Sequence, residues 1–404
     1  MPKLHFEDIQ FQEEKDNIRG IFLKNFYFEL TYSELNKIGK FRVIKQDLEI
    51  EGKDEIVQRN FNTLLEQKLH ELKSFQGKEA TYIYQGFIPM IGSLYFGIID
   101  RNTNIIEIRP ITGCNLNCAF CSVDLARRER DFVVNVDCLA SEAEKLAELK
   151  SSKCKEIEMH INGQGEPLLY APLAELISKL KKIKNVKTIS IDTNGTLLTK
   201  EKVDEIVSAG LTRFNISLNA FSDKTAEKVA GVRYPFENVK KMCKYIAKKT
   251  DILITPVWLY TINDKDIEQL IEFSQELKKI RPQQQTPFMG IQNFLEYRYG
   301  KKPAKEICWS DFYDELEKLE KKHKIRLRLS RDDFNIVKAN VLRKPFQKGE
   351  AVQAKIICRG KFPKEMLCAS HNRIISVRTE KKLGKIIDAV ITRSKYNVFY
   401  GKEI

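Results

Sequence analysis

Between residues 105 and 294, short apolar runs alternate regularly with longer segments that have apolar residues at helical spacing. This alternation favours a parallel sheet covered by helices, closed or partly closed, with ligands bound at the carboxyl ends of its strands. The sequence therefore predicts an α/β core with one active site on one rim. The six predicted strands are 105–110, 156–163, 188–195, 213–219, 251–258 and 288–294.

The unusual motifs of the chain fall where these strands end. "TGCNLNCAFCSVD" (112–124) follows the first strand, "GQGEP" (163–167) the second, and "DTNG" (192–195) the third. "SLN" (217–219) ends the fourth. Because the carboxyl ends of parallel strands lie at one edge of the sheet, we expect the four motifs to line one site.

The cysteine loop indicates an iron–sulfur cluster. Cys114, Cys118 and Cys121 have the spacing C-x3-C-x2-C, without a fourth cysteine in the loop. Three thiolates can hold three irons of a four-iron cluster and leave the fourth iron open, whereas a structural zinc site takes four protein ligands. A zinc site completed by a remote residue, or three reduced cysteines without a metal, are the alternatives.

The "GQGEP" segment has the composition of a ligand-binding loop. Glycine lets the backbone approach a ligand closely, and the carboxylate of Glu166 suits an ammonium group. Gly-x-Gly also marks ordinary turns, so the motif gains its meaning from its place at the end of the second strand. Asn194, Ser217 and Asn219 have the same ambiguity, because polar residues at strand ends also cap turns.

These motifs together resemble those of the radical SAM superfamily, whose members bind S-adenosylmethionine (SAM) on the open iron of a cluster held by C-x3-C-x-aromatic-C. Phe120 is the aromatic residue of this chain, and "GQGEP" resembles the Gly-Gly-Glu-Pro element that binds the methionine amino group. The resemblance implies a partial (β/α)6 barrel and a [4Fe-4S] cluster on Cys114, Cys118 and Cys121. It implies SAM contacts at Gly163, Gln164, Gly165, Glu166, Pro167, Asn194, Ser217 and Asn219.

The same resemblance implies the chemistry. An electron from a reductant such as ferredoxin or flavodoxin enters the cluster and cleaves SAM to methionine and a 5′-deoxyadenosyl radical, which abstracts hydrogen from a substrate. The cofactor carries the difficult step, and the protein supplies binding and orientation. Residues 1–113 contain no cysteine, whereas methylthiotransferases hold a second cluster on an N-terminal domain. Methylthiolation is therefore disfavoured.

The C-terminal 60 residues indicate the substrate class. The chain has a net charge of +14, and residues 345–404 contain thirteen Lys or Arg against five Asp or Glu. Short alternating strands with glycine breaks predict a small antiparallel β-barrel. The segment resembles a TRAM domain, an RNA-binding module with an OB-like barrel, which implies RNA, most notably tRNA, as partner. A basic surface that is simply solvated is the alternative.

Basic and aromatic side chains are interleaved in this segment, a mixture that suits looped or single-stranded RNA. We expect RNA contacts at Lys355, Arg359, Arg373, Arg378, Arg393 and Lys395, and we group Lys361, Tyr396, Phe399 and Tyr400 with them.

The sequence predicts four regions. They are an N-terminal α+β extension (1–103), the radical SAM barrel (104–300), a helical linker (301–344) and the TRAM-like barrel (345–404). Within the extension, 80–102 is expected to form a hairpin or a pair of strands. The sequence has no signal peptide and no apolar run long enough to cross a bilayer, and its nine cysteines lack a disulfide pattern. We therefore expect a cytoplasmic protein without membrane contact.

Two other functions compete with RNA modification. One is a radical SAM enzyme that acts on a protein or a small metabolite, with an incidental basic tail. The other is a metal-stabilised RNA-binding protein without catalysis, which leaves the glycine motif unexplained.

Overall fold

The computed structural model describes residues 1–84, 86, 88–297 and 300–404, and the chain begins with a small α+β region. Strands β8, β7, β4, β3 and β2 are neighbours in one sheet, α2 packs against β4, and β1, β6 and β5 form a second small sheet. The elements of this region are β1 (Lys3–Leu4), β2 (Ile9–Glu13), β3 (Asn17–Phe22), β4 (Phe26–Thr31), α1 (Tyr32–Asn36), β5 (Phe41–Ile44), β6 (Asp47–Ile50), α2 (Asp54–Leu69), β7 (Lys73–Ser74) and β8 (Glu79–Ile83).

Alternating strands and helices follow, as the sequence predicts. The elements are β9 (Gly97–Asp100), β10 (Ile105–Arg109), β11 (Arg130–Val134), α3 (Val136–Ser151), β12 (Ile157–Ile161), α4 (Leu173–Lys181), β13 (Val186–Thr193), α5 (Lys200–Ala209), β14 (Arg213–Ile216), α6 (Asp223–Ala230), α7 (Phe236–Ala247), β15 (Asp251–Ile254), β16 (Val257–Trp258), α8 (Asp264–Ile280), β17 (Gln292–Asn293) and α9 (Trp309–His323).

The central sheet has the strand order β15-β14-β13-β12-β10-β9. Five of these strands are parallel, and β9 is antiparallel to β10. The run predicted as the sixth strand contributes only a single bridge between Ile254 and Met289 and the short β17, which pairs with β16. The last predicted strand therefore adjoins the edge strand β15 through this bridge and is not a full member of the sheet.

Helices on the sheet begin and end where the sequence signals them. Thr199 caps α5 by accepting a hydrogen bond from the backbone amide of Lys202, and Gly210 ends that helix with a φ of 121°. Val203 and Ile206 of α5 are fully buried. Burial of each such side chain contributes about 2 kcal/mol, so tertiary packing rather than helix propensity holds the layer in place.

Two pairings cross the boundary that the sequence suggests near residue 103. β9 joins the central sheet, whereas β11 pairs in parallel with β8 of the N-terminal sheet. The stretch 80–102 therefore supplies strands to two different sheets instead of forming a hairpin, and residues 85 and 87 within it lie outside the described part. Domain boundaries stay a prediction, but the described N-terminal region is joined to the core by main-chain hydrogen bonds.

The C-terminal region is a closed five-stranded barrel in the order β18-β19-β20-β22-β21. One neighbouring pair, β20 and β22, is parallel, so the barrel is mixed and not wholly antiparallel as expected. Its own apolar core includes Phe346, Ile375 and Phe399. The strands are β18 (Ala351–Arg359), β19 (Glu365–Ser370), β20 (Arg373–Arg378), β21 (Ile386–Arg393) and β22 (Phe399–Glu403).

This barrel is docked on the rest of the protein. The backbone amides of Ile374 and Phe399 donate to the carbonyls of Ile91 and Gly92. At Gly92 a Cβ atom would lie 2.3 Å from the backbone of Ile374, so only glycine permits this approach. In the described part of the chain, no helix has the length and apolar character needed to cross a bilayer.

Candidate active site

A cavity of about 490 Å³ opens at the carboxyl ends of the central strands. It receives all four sequence motifs, because each follows a strand of the same parallel sheet. Its lining includes Cys114, Cys118, Cys121, Gly163, Gln164, Gly165, Glu166, Asn194, Ser217 and Asn219. Pro167 lies just outside the lining and begins a short 3-10 turn that Glu166 caps.

The end of α6 holds the cysteine loop. The backbone amides of Asn117 and Ala119 donate to the carbonyls of Ala230 and Val229 at distances of 3.0 and 2.9 Å. Gly231 ends α6 in the left-handed region, and a Cβ there would lie 2.2 Å from the Asn117 carbonyl oxygen. The helix terminus thus fixes the turn that carries Cys118.

Side chains from two other regions hold the same loop. Gln76 Nε2 donates to the Cys114 carbonyl at 2.5 Å, and Lys301 Nζ donates to the Asn117 carbonyl at 3.1 Å. The Lys301 amide also donates to the Cys121 carbonyl. The three half-buried cysteines are therefore presented by a loop whose backbone is bonded on several sides.

The "GQGEP" loop packs directly on the start of the cysteine loop. A Cβ atom on Gly165 would lie 2.4 Å from the Gly113 carbonyl oxygen and 2.6 Å from the Thr112 carbonyl carbon. The Glu166 amide donates to that Gly113 carbonyl at 2.8 Å. Glycine at position 165 is required by this contact between two backbones, in addition to any ligand approach.

The Glu166 carboxylate is 2% exposed and is bonded within the chain. Its oxygens accept hydrogen bonds from Thr193 Oγ1 at 2.6 Å, the Asn194 amide at 2.8 Å and the Leu168 amide at 3.0 Å. Burial raises the pKa of Glu166 to about 7, although these hydrogen bonds oppose the shift. The carboxylate thus ties the second loop to the end of β13 as well as lining the cavity.

The remaining predicted contacts tie loops together in the same way. Asn194 Nδ2 donates to Asn115 Oδ1 at 3.0 Å, which joins β13 to the cysteine loop. Asn219 Oδ1 accepts from the Val257 amide at 2.8 Å, and its Nδ2 donates to the Ser217 carbonyl. Their placement on the cavity wall is as expected, and their roles toward a cofactor stay predictions.

The donor chemistry of the loop fits an iron–sulfur cluster. Burial raises the pKa of the Cys114 and Cys118 thiols to about 12, with Glu166 and the neighbouring thiols adding to the effect. Thiolates at these positions need a nearby positive charge, which the irons of a cluster supply. The described residues include no group of three His, Cys, Asp or Glu that could converge on one metal ion. An iron–sulfur cluster does not require such convergence, because each of its cysteines binds a different iron.

Charged side chains form a layer below the cavity that the sequence analysis did not identify. Glu107, His160, Ser190 and Arg213 occupy one row across four neighbouring strands. Glu158 Oε1 accepts from Ser190 Oγ at 2.6 Å and from Arg213 Nη2 at 2.5 Å. The signal was present as charged residues alternating with isoleucine in the predicted strands "IIEIRP" and "EIEMHING".

Two side chains that contact this layer, Arg109 and Asp192, line the cavity. Arg109 is 8% exposed and donates from Nη2 to Glu107 Oε2 at 2.9 Å, while its Nε has no hydrogen-bond partner among the described residues. Asp192 Oδ2 lies 3.2 Å from His160 Nε2, and the Asp192 side chain is 44% exposed. The cavity therefore has a polar floor as well as the predicted rim.

The acids of this layer change the pKa of His160. Burial alone would lower its pKa, but the charge and hydrogen bond of Asp192, with the charges of Glu158 and Glu107, raise the pKa to about 9. The His160 side chain lies beneath the candidate site and contacts Asp192, which lines the cavity.

A lysine of the C-terminal barrel also reaches the candidate site. Lys361 is fully buried, and its Nζ donates to Gln164 Oε1 at 3.0 Å and to the Gln164 carbonyl at 3.3 Å. Burial lowers the pKa of Lys361 to about 7, although Asp131 opposes the shift. The expectation that Lys361 and Phe399 face RNA is wrong, because both are buried, Phe399 in the barrel core.

The other basic residues lie on several faces of the barrel. Arg378 and Arg393 line a second cavity together, whereas Lys355 and Arg359 lie on β18. Arg373 is half-buried and donates to the Asn372 carbonyl, and Lys395 lies over the Tyr396 ring. The structure thus brings together two of the six predicted RNA contacts.

Comparison with known proteins gives a family for the central region. A model of the radical SAM superfamily matches residues 108–274. An uncharacterised protein of Methanocaldococcus jannaschii is 32% identical over 96% of this chain and 95% of its own length. A probable GTP 3′,8-cyclase of the same organism is 29% identical over 45% of this chain, and the match spans 58% of that cyclase.

Among solved structures, SuiB of Streptococcus suis bound to the precursor peptide SuiA aligns with a TM-score of 0.43 and 18% identity. The alignment covers 80% of this chain and 71% of SuiB.

Proposed function

The chain belongs to the radical SAM superfamily, whose enzymes use a [4Fe-4S] cluster and SAM, and we propose that it modifies RNA, in particular tRNA. We propose that it does so in the cytoplasm, with a reductant such as ferredoxin or flavodoxin. One observation carries the enzymatic part of the proposal. The three cysteines, the "GQGEP" loop and the ends of β13 and β14 line a single cavity of about 490 Å³.

In this proposal Cys114, Cys118 and Cys121 hold the cluster. When bound, the cluster and SAM supply the reductive cleavage that yields a 5′-deoxyadenosyl radical. The other proposed SAM contacts are Gly163, Gln164, Gly165, Glu166, Pro167, Asn194, Ser217 and Asn219.

The chain's own residues position and shield this chemistry. The end of α6 and Lys301 hold the cysteine loop, and the backbone contact at Gly165 keeps the second loop against it. Phe120, Leu116 and Phe294 line the cavity with apolar surface, which excludes water from a reactive site. Asp192 and Arg109 offer polar groups at the floor.

The RNA part of the proposal is supported by the barrel and its attachment. The barrel carries over half of the excess positive charge of the chain, and Lys361 connects it to Gln164 at the cavity. A basic module fixed beside an active site suits a polyanionic substrate, because electrostatic attraction supplies much of the affinity for nucleic acids.

Anaerobic assay of the reconstituted enzyme tests both parts. We expect 5′-deoxyadenosine to form when SAM and a reductant are added, to increase when tRNA is added, and a new nucleoside mass to appear in digested tRNA. A triple Cys114→Ser, Cys118→Ser, Cys121→Ser variant is the control. Absence of 5′-deoxyadenosine from a fully loaded wild-type enzyme would contradict the enzymatic part, and unchanged tRNA nucleosides would contradict the RNA part.

A free nucleotide is the second candidate substrate. It is favoured by the relatives described as GTP 3′,8-cyclases, although they match less than half of this chain. The same assay with GTP in place of tRNA separates the two candidates.

A further inference from the structure

A second cavity, of about 840 Å³, lies between the C-terminal barrel and the segment that follows the cysteine loop. We call it the junction cavity. Its barrel side is formed by residues of β20, β21 and β22 together with Phe362 and Pro363, and its other side by Lys78 and residues 126–129. The volume lies within the range of small-molecule and nucleotide pockets.

The lining of the junction cavity is strongly basic. Six cations and two carboxylates are in the lining, and the cations are Lys78, Arg127, Arg128, Arg378, Arg393 and Lys402. Arg128 is buried and paired with Asp131, which lies outside the lining. Of the two acids, Glu365 is buried and accepts hydrogen bonds from Tyr95 and from the Lys361 and Phe362 amides, so its charge is engaged within the chain. Burial raises the pKa of Glu365, although its hydrogen bonds and Lys361 oppose the shift.

Several of these cations lack a counter-charge. Within the described residues, Lys78, Arg378, Arg393 and Lys402 have no carboxylate within ion-pair distance. Two lysines elsewhere on the barrel are paired, Lys364 with Glu380 and Lys381 with Glu403. A group of like charges around one concavity repels itself unless an anion is bound there.

Aromatic and polar groups accompany the charges. The Arg393 guanidinium lies 5.7 Å from the centre of the Tyr400 ring, and Phe362 and Ser376 are also in the lining. Arginine beside an aromatic ring is the arrangement that stacks bases and neutralises phosphates in single-strand binding proteins.

Residues next to the junction cavity in the chain also contact the candidate active site. Lys361, which precedes Phe362 of the lining, donates to Gln164 in the wall of the first cavity. On the other side, Arg127 and Arg128 follow Cys121 within a few residues of chain. The lining of the junction cavity is therefore connected to both loops that form the candidate active site, to one through Lys361 and to the other along the chain.

We propose that the junction cavity binds phosphate groups of the substrate RNA strand beside the nucleotide that is modified. The inference rests on the proposed RNA-modifying function and adds where the strand is gripped. Free nucleotides carry the same phosphate chemistry, so the binding of GTP to each variant is measured alongside that of RNA.

The test uses full-length protein with cluster and a fluorescein-labelled single-stranded RNA, with affinity measured by anisotropy over a range of salt concentrations. We expect the double variant Arg378→Glu, Arg393→Glu to bind at least about tenfold more weakly at low salt. The slope of log affinity against log salt should become shallower by about 0.7 for each phosphate that the variant no longer neutralises. Lys348→Glu with Lys382→Glu is the matched control, with the same charge change on exposed barrel residues outside the cavity, and should bind like wild type.

Thermal unfolding and iron content show whether the variants are folded and loaded. If charge reversal prevents folding, the double variant Arg378→Gln, Arg393→Gln removes both charges more mildly and should still lower the salt slope.

Three results would overturn the inference, and they differ from a failure of the proposed function. Cavity variants that bind RNA like wild type, or a control pair whose affinity falls equally, would refute the junction cavity while tRNA modification by the wild type stands. Weakened binding of GTP alone, with RNA affinity unchanged, would assign the cavity to a free nucleotide. A wild type that neither binds RNA nor changes its nucleosides would refute the proposed function itself.

Discussion

His160 makes the stability of the protein depend on pH in a direction opposite to that of a paired acid. Its ordinary pKa is 6.5, and contact with Asp192 and neighbouring acids raises it to about 9 in the fold despite burial. The proton is bound more tightly in the folded protein, so the stabilisation is complete below pH 6.5 and is lost as pH rises to 9. The shift corresponds to on the order of 3 kcal/mol.

A His160→Gln variant should therefore lose about 3 kcal/mol of unfolding free energy at pH 6 and much less at pH 9.5. Urea unfolding of the cluster-free protein at the two pH values measures this. His70→Gln, at an exposed position, is the control and should change little at either pH. A loss at His160 that is equal at both pH values would show that packing, and not the charge, is responsible.

Gly165 and Gly113 lie against each other, but they differ in the space that is available for a side chain. A Cβ on Gly165 would meet the backbone of Thr112 and Gly113, whereas a Cβ on Gly113 would meet only the Ile111 side chain at 3.9 Å. Overpacking against backbone costs about 1 to 3 kcal/mol. We expect Gly165→Ala to lower SAM affinity, measured by calorimetry on loaded enzyme, about tenfold or more. Gly113→Ala should bind nearly like wild type, and equal losses would contradict the contact argument.

The attachment of α6 to the cysteine loop yields a prediction about cluster retention. Gly231 and Gly384 both have positive φ angles, 69° and 80°, but only Gly231 lies against the loop. Alanine at either position costs about 1 kcal/mol of backbone strain. Gly231→Ala should in addition displace Asn117 and accelerate iron loss to a chelator, whereas Gly384→Ala should not. Equal rates of iron loss would mean that α6 does not hold the loop.

Strands and loops with a local signal were predictable from the sequence. Buried strands of a parallel sheet are rich in apolar residues, so the runs that became β10, β12 and β13 were evident although each contains charged residues. The motif loops gather at one edge because parallel strands bring their ends together, and the order of the motifs along the chain already implied this.

Pairings between distant segments left no such signal. Which sheet β9 and β11 join depends on contacts across the molecule, and the alternation of apolar residues is the same in either sheet. The polar floor was missed for a different reason. Glu107 and Arg109 were interpreted as part of an apolar strand. Charged residues at every second position of a buried strand indicate instead that one face of the strand carries charged side chains that pair with each other.

On the scale of the molecule, the barrel and the core are joined through buried polar contacts rather than by a flexible linker. Tyr95 of the core donates to Glu365 of the barrel at 2.7 Å, and the Glu129 amide donates to the Lys361 carbonyl at 2.9 Å. The composition of residues 345–404 could predict a basic module, but not that it turns one lysine inward. Lys361 reads as a surface cation in the sequence because burial of lysine is rare.

Lys361→Met tests whether the barrel helps to shape the cofactor loop. Removal of a buried amine relieves its desolvation cost, so the thermal midpoint should stay constant or rise. Gln164 loses its donor, which should weaken SAM binding about tenfold, the effect of one hydrogen bond of about 1.4 kcal/mol. Lys364→Met is the matched control, since that lysine is exposed and paired with Glu380, and SAM affinity should not change. If Lys361→Met is less stable but binds SAM as wild type does, the lysine only joins the barrel to the core. If its stability is unchanged and SAM binds more weakly, Lys361 is a positioning residue through which the barrel acts on the active site.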